Sequence, residues 1–118
     1  MKKENGMGKV NISEDVISTI AGAAAVECYG LVGMASKKLK DGITQLLGKE
    51  DLKKGVEVII EDGKVALELN IVVGYGVNIS EVAKNVMERV KYSVENHTAL
   101  KVEKVNVNVR GVRIINEV

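Results

Sequence analysis

His97 and Cys28 are the only histidine and the only cysteine of the chain, and they are the side chains best suited to proton transfer or nucleophilic attack. Neither has a companion. His97 falls at the expected end of a helix, where the dipole favours its cation, with no second member of a triad or metal set in sight. A cap or a surface position is the favoured reading. Cys28 closes an alanine-rich helical face with no histidine nearby in sequence, the pattern of a buried, inert thiol. To act as a nucleophile it would need a basic neighbour brought in from elsewhere in the fold. The carboxylates fall on alternate strand positions and polar helix faces, so no general acid and base pair stands out. No catalytic, cofactor-binding or metal-ligating residue is therefore assigned, no cofactor is implied, and the chain reads as not an enzyme.

Two glycine patterns and one basic segment could bind rather than react. Gly74-Tyr75-Gly76 follows a strand and precedes a helix, as a dinucleotide fingerprint does, but the third glycine is absent because position 79 is Ile. The strand before it also reads as half of a hairpin, whereas that fingerprint belongs to a parallel βαβ unit. Gly30-Leu31-Val32-Gly33 has the spacing of the G-x-x-G loop of KH-type RNA-binding modules, yet its central residues are apolar and a buried turn is favoured. Between Ser36 and Lys54, lysines 37, 38, 40, 49, 53 and 54 mix with Leu39, Ile43, Leu46 and Leu47 at helical spacing. Such a segment can meet an anionic membrane or nucleic acid, form a solvated helix over its own core, or remain a loop. The solvated helix is the favoured reading.

The elements that position these residues are organised around Lys64–His97. Val65, Leu67, Leu69, Ile71 and Val73 alternate along a half-buried strand. Beyond the glycines, Asn78 is a candidate N-cap with Glu81 three residues on. Ile79, Val82, Ala83, Val86, Val90 and Val94 then recur at helical spacing. Val56, Val58 and Ile60 form a second alternating run, joined to the first by the hairpin turn Asp62-Gly63. Val105, Val107 and Val109 alternate with Asn106, Asn108 and Arg110 in a third long strand. Upstream, Val10-Asn-Ile-Ser-Glu14 repeats Val77-Asn-Ile-Ser-Glu81 letter for letter, either as a shared helix-start signal with an asparagine cap and a buried isoleucine, or as the trace of a duplication. The first helix is predicted from about residue 12 or 13 to Cys28, with Val16, Ile17, Ile20, Ala24 and Cys28 facing inward and Gly30 as its stop.

These elements predict an α+β fold: two helices packed on one face of a small, mainly antiparallel sheet of three or four strands, a short strand falling at about 8–11 or 31–35. The other face would carry Glu57, Ile59, Glu61, Ala66, Glu68, Asn70, Val72, Asn106, Asn108 and Arg110 and is the expected partner surface. Residues 1–8 read as a flexible lead and 9–118 as a single domain. At 118 residues the chain can bury one core without disulfides or metals. Hydrophobic residues are 46% of it but aromatics only 3%, with neither Phe nor Trp, so that core is packed from Val, Ile, Leu and Ala. Seventeen basic residues against 16 acidic ones leave a net charge of +1, too little for a dedicated nucleic-acid binder. One cysteine, no long apolar run and a polar start together suit the cytoplasm.

Taken in order, Gly8-Lys-Val-Asn-Ile-Ser13 leading into Val16 and Ile20, Gly30-Leu-Val-Gly-Met34, Val73-Gly-Tyr-Gly-Val-Asn-Ile79 with Val82, and Val105-Asn-Val-Asn-Val109 with Gly111-Val112 resemble the alkaline-shock, envelope-stress family of Gram-positive bacteria. The resemblance runs from about Gly8 to Val112 and rests on ordered blocks, not on a catalytic motif. It implies a cytoplasmic, non-enzymatic interaction or scaffold protein linked to envelope homeostasis or stress. It also implies self-association into a homo-oligomer, and either an integral-membrane anchor protein or a dihydroxyacetone-kinase-like fatty-acid kinase as partner. The polar tails of some stress-induced members are missing, which suits a compact housekeeping type. Nucleic acid is not an expected partner, and a small KH-like RNA-binding module is the alternative reading. A small-molecule or lipid carrier ranks last, since no aromatic residues are available to line its pocket.

Overall fold

The computed structural model describes residues 2–5, 8–36 and 46–114. In chain order the elements are β1 (Lys2–Asn5), β2 (Gly8–Asn11), α1 (Glu14–Val26), β3 (Leu31–Met34), a 3₁₀ helix (Lys49–Gly55), β4 (Val56–Glu61), β5 (Lys64–Gly74), α2 (Ile79–Thr98) and β6 (Lys101–Arg113). The architecture is the expected α+β one. β5 is its centre. On one edge β6 runs beside it from Lys64 opposite Lys101 to Gly74 opposite Arg113. The other edge is shared end to end by β4, antiparallel to Lys64–Leu69, and β3, antiparallel to Ile71–Val73. Asp62 and Gly63 turn the β4–β5 hairpin with φ of 49° and 76°, as that dipeptide predicts.

Both helices cover the sheet face that carries Val65, Leu67, Leu69, Ile71 and Val73. These five residues form one core with Ile17, Ala21, Ala24 and Ala25 of α1 and Val82, Val86, Val90 and Val94 of α2. The α2 stripe is buried from Val82 onward. Its first expected member, Ile79, is 44% exposed, because the helix begins there and the sheet is already behind it. Val16 is likewise 47% exposed and not a core residue; α1 buries the face one residue further round, on Ile17, Ser18 and Ala21.

Three other expectations meet a different structure. β6 is parallel to β5, so β5–α2–β6 is a βαβ unit even though β5 also closes a hairpin; the sequence reading sets the two against each other, yet one strand has two edges and can do both. The repeated pentapeptide does not act as one start signal. In the first copy Asn11 lies in β2 and the cap is Ser13, which accepts from the Val16 amide at 3.2 Å. In the second the cap is Asn78, which accepts from the Glu81 amide at 3.2 Å. Finally, Lys2–Asn5, within the lead read as flexible, pairs with Gly8–Asn11 in a separate two-stranded sheet. Leu39 and Ile43, with Lys37, Lys38 and Lys40, lie outside the described residues. Leu47 packs against the core, and Lys53 reaches Asp15 at 2.8 Å, tying the 3₁₀ helix to α1.

The sheet face away from the helices, expected as the partner surface, is knitted to itself. Asn70 is 1% exposed. Its amide donates to the Gly55 carbonyl at 3.3 Å, and its side-chain oxygen accepts from Arg110 Nε at 2.8 Å and from Asn108 Nδ2 at 3.4 Å. Asn108 also donates to Glu68 at 3.0 Å, which eases the placing of Glu68 directly opposite Glu57. This lattice clamps β6 to β5 and β5 to the 3₁₀ helix. Asn70→Ala, which removes the donor to the Gly55 carbonyl and the acceptor shared by Asn108 and Arg110, is expected to cost about 1–3 kcal/mol in urea denaturation. On the helix side, Ile17→Ala should cost about 2–5 kcal/mol. Val16→Ala should stay within about 0.5 kcal/mol of the parent, and comparable losses at 16 and 17 would contradict the observed face.

Candidate interaction site

Where α1 ends, the chain is pressed against the start of α2. Gly30 takes a φ of 87°, and its carbonyl accepts from the Gly74 amide at 2.9 Å, joining the entry of β3 to the exit of β5. A Cβ there would lie 2.7 Å from Val82 Cγ2 and 3.3 Å from Val77 Cγ1. Only glycine fits. With the inner side of this turn filled by backbone, Tyr29 is turned outward and is 88% exposed. Tyr75, in the β5–α2 turn, donates its amide to the Arg113 carbonyl at 2.8 Å and leaves its ring 76% exposed. Tyr92 sits on α2 beside the buried valine stripe and is 68% exposed.

These three tyrosines are all the aromatic residues the protein has, and they line two adjoining hollows that together make a trough. A hollow of about 400 Å³ is bounded by Glu27, Cys28, Tyr29, Asn85, Glu88, Arg89 and Tyr92. A second, of about 350 Å³, is bounded by Tyr29, Tyr75, Gly76, Val77, Asn78, Glu81, Val82 and Asn85. Tyr29 and Asn85 belong to both. Arg89 Nη2 lies 3.4 Å from Glu27 Oε1, an exposed pair that adds little stability but neutralises two charges. Glu81 and Glu88 remain as the other charged groups of the lining, so the trough is aromatic with an acidic bias. Exposed tyrosines give large contact area at low entropy cost, which is the chemistry of a docking surface.

The residues singled out for reactivity are not brought together. Cys28 lies in the wall of the trough, half-buried, with its thiol 3.8 Å from the Ala24 carbonyl. Burial pushes its pKa up; Arg89 opposes this and Glu27 adds to it. His97 stands eight residues beyond Arg89 on α2, about 12 Å along the axis. Its Nδ1 lies 2.7 Å from the Ser93 carbonyl, which can only accept, so this nitrogen carries a proton and tethers the ring to the last turn. Among the described residues no cluster of His, Cys, Asp and Glu could hold a metal ion, and no helix is long and apolar enough to cross a membrane.

Gly74-Tyr75-Gly76 is a turn, and Gly30-Leu31-Val32-Gly33 is a turn running into β3, with Gly33 paired to Val72 inside the sheet. The second therefore cannot clamp a nucleic-acid backbone as a free loop does. Sequence reasoning missed the tyrosines, although a signal was there. Tyr29 adjoins one glycine, Tyr75 lies between two, and Tyr92 falls off the 82-86-90-94 stripe, so all three were marked for the surface in a chain whose core had no aromatic residue. With its thiolate disfavoured by burial, Cys28 is expected to react with iodoacetamide at pH 8 several-fold more slowly than a free cysteine. Arg89→Ala, removing the opposing charge, should slow it further; acceleration would contradict this electrostatic account. Gly30→Ala should destabilise by about 2–4 kcal/mol, from a disfavoured φ and a forced shift of Val82, as read by thermal or urea melts.

The model of the alkaline-shock family, described as having a "cell envelope-related function", matches residues 2–114. YloU of Bacillus subtilis (strain 168) is 49% identical over 110 residues, covering 92% of each chain. Spy1614 of Streptococcus pyogenes serotype M6 is 43% identical over 111 residues, covering 93% of this chain and 92% of that one. A "stress response regulator gls24 homolog" of Streptococcus pyogenes serotype M3 is 27% identical over 106 residues, and the match covers 59% of its length. Among solved structures, MamM CTD in a cadmium form covers 88% of this chain and all of that one with a TM-score of 0.51, at 12% identity, a likeness of fold alone. With its length matched almost end to end by the family model and by YloU, this chain belongs to the alkaline-shock family, whose function is related to the cell envelope.

Proposed function

We propose that the chain is a non-catalytic docking protein of the cell envelope, acting from the cytoplasm by assembling with itself and seating a partner in the tyrosine trough. One observation carries this reading: the chain excludes aromatic residues from its core and places all three, well exposed, along two adjoining hollows beside α2 where α1 ends. The acidic bias left by Glu81 and Glu88 suits a partner segment that is basic and apolar, such as the cytoplasmic flank of an integral-membrane anchor protein, where lysine and arginine gather. A dihydroxyacetone-kinase-like partner of fatty-acid metabolism fits the same role if it presents such a segment. Held at the membrane in this way, the protein needs no span of its own.

RNA binding is the second reading. It has the exposed ring faces in its favour, since bases stack on tyrosine. The carboxylates Glu81 and Glu88 around those rings oppose a phosphate backbone, and the Gly30–Gly33 segment is committed to the turn and to β3.

Affinity capture from detergent-solubilised membranes of the native host, with the parent and with Tyr29→Ala/Tyr75→Ala/Tyr92→Ala, tests the proposal. A membrane-anchored protein should be retained by the parent and lost from the triple variant. Each single change should weaken binding about tenfold or more, as expected of buried tyrosine anchors. Equal capture by parent and triple variant would overturn the trough assignment. Binding of single-stranded RNA that falls steeply with salt would favour the second reading instead.

A further inference from the structure

β6 is thirteen residues long and, among the described residues, pairs on one side only, with β5. Its other edge offers a row of backbone donors and acceptors, with no proline anywhere in the chain to blunt it. Two bulges interrupt β6: its register against β5 passes from Val102 to Lys104 and from Val109 to Gly111, leaving Glu103 and Arg110 as the inserted residues. Between them Lys104–Val109 runs in unbroken register. Within this stretch Val105-Asn106-Val107-Asn108-Val109 reads the same in both directions.

We infer that this edge is the docking site for a second copy of the chain, the two β6 strands pairing antiparallel about a two-fold axis at Val107. The inference deepens the self-assembly part of the proposed function and rests on that reading, but does not involve the tyrosines of the trough. A two-fold contact must be self-complementary. The palindrome makes it so: Val107 meets Val107, Val105 meets Val109, and Asn106 meets Asn108, each pair on the same face of the joined sheet. On the helix side, a cleft of about 200 Å³ bounded by Met87, Glu88, Lys91, Glu103, Lys104 and Val105 lies above the edge. In this register Val109 of the second copy, 37% exposed when unpaired, comes beside Val105 at that cleft, and the fit is made twice. Lys104 falls opposite Arg110 of the second copy, whose guanidinium is held on its own sheet by Asn70 at 2.8 Å.

Sedimentation of the full chain over a concentration series is expected to show a monomer–dimer equilibrium. In a Cys28→Ser background, Val107→Cys should cross-link to a covalent dimer on mild oxidation, because directly paired residues of an antiparallel ladder have Cα atoms about 4.5–5.5 Å apart, within disulfide reach. Ile59→Cys, exposed on β4, should stay largely uncrosslinked. Asn106→Lys, at an exposed position that leaves the β5 ladder intact, puts a lysine diagonally across from Arg110 of the second copy, twice per dimer, and should raise Kd about tenfold. A chain that remains monomeric throughout, equal cross-linking at 59 and 107, or a dimer indifferent to Asn106→Lys would each overturn the assignment. All of these use the purified chain with its tyrosines intact. Their failure therefore leaves partner capture by the trough standing, and failed capture leaves the dimer standing.

Discussion

Everything in this fold depends on β5 being enclosed on both edges and on its inward face. A strand so buried has no water to satisfy its backbone, so β3, β4 and β6 must pair with it along its length. Its inward side chains, all branched aliphatics, must then be covered without any aromatic bulk. Only close approach does this. The helices meet the sheet and each other through alanine and valine, and backbone comes into direct contact where glycine permits it, at Gly22 against Leu52 and at Gly30 against Val82. A core packed this tightly from small pieces has no room for a tyrosine. The three rings are therefore available to the surface, and the trough follows from the way the core is filled.

The parts legible in the sequence were those governed by short-range periodicity. The two-residue alternation of β5, the Asp62-Gly63 turn and the valine spacing of α2 each state a face, and one sheet covered by two helices is the simplest body that buries those faces together. The parts that were not legible turn on which edge meets which. Nothing local distinguishes a β6 that pairs parallel beyond a helix crossover from one that returns antiparallel, because both bury the same valines. The duplicated Val-Asn-Ile-Ser-Glu shows the same limit from the other side. Identical residues cap at Ser13 in one copy and at Asn78 in the other, because β2 holds Asn11 extended while the glycine turn leaves Asn78 free to cap. Asn70 read as an outward polar residue and is instead buried and hydrogen-bonded through both its side-chain nitrogen and its side-chain oxygen, since its partners Gly55, Asn108 and Arg110 come from elsewhere in the chain.

α2 is what relates the two candidate surfaces. With Val82, Val86, Val90 and Val94 turned to the core, one flank of the helix brings Asn85, Arg89 and Tyr92 to the α1 side, and the other brings Met87 and Lys91 toward β6. The trough and the open edge thus lie on opposite flanks of the same helix. Glu88, on the outer face between those flanks, borders both, and a change that shifts α2 along the sheet disturbs both.

From that geometry comes a reason for a scaffold to be two-fold. In the proposed dimer, pairing through β6 would bury the edge and leave a trough on the outer side of each copy, giving two equivalent docking sites. Partners anchored in one membrane are already confined to a surface, and the second docking event is then intramolecular in effect. Avidity of that kind can exceed the single-site affinity by ~10²–10⁴ without any added contact. A shallow trough lined by three tyrosines and a compensated ion pair need then bind each partner only weakly. Such binding releases quickly from a lone partner while holding where partners are dense, and that is the behaviour the proposed scaffold requires.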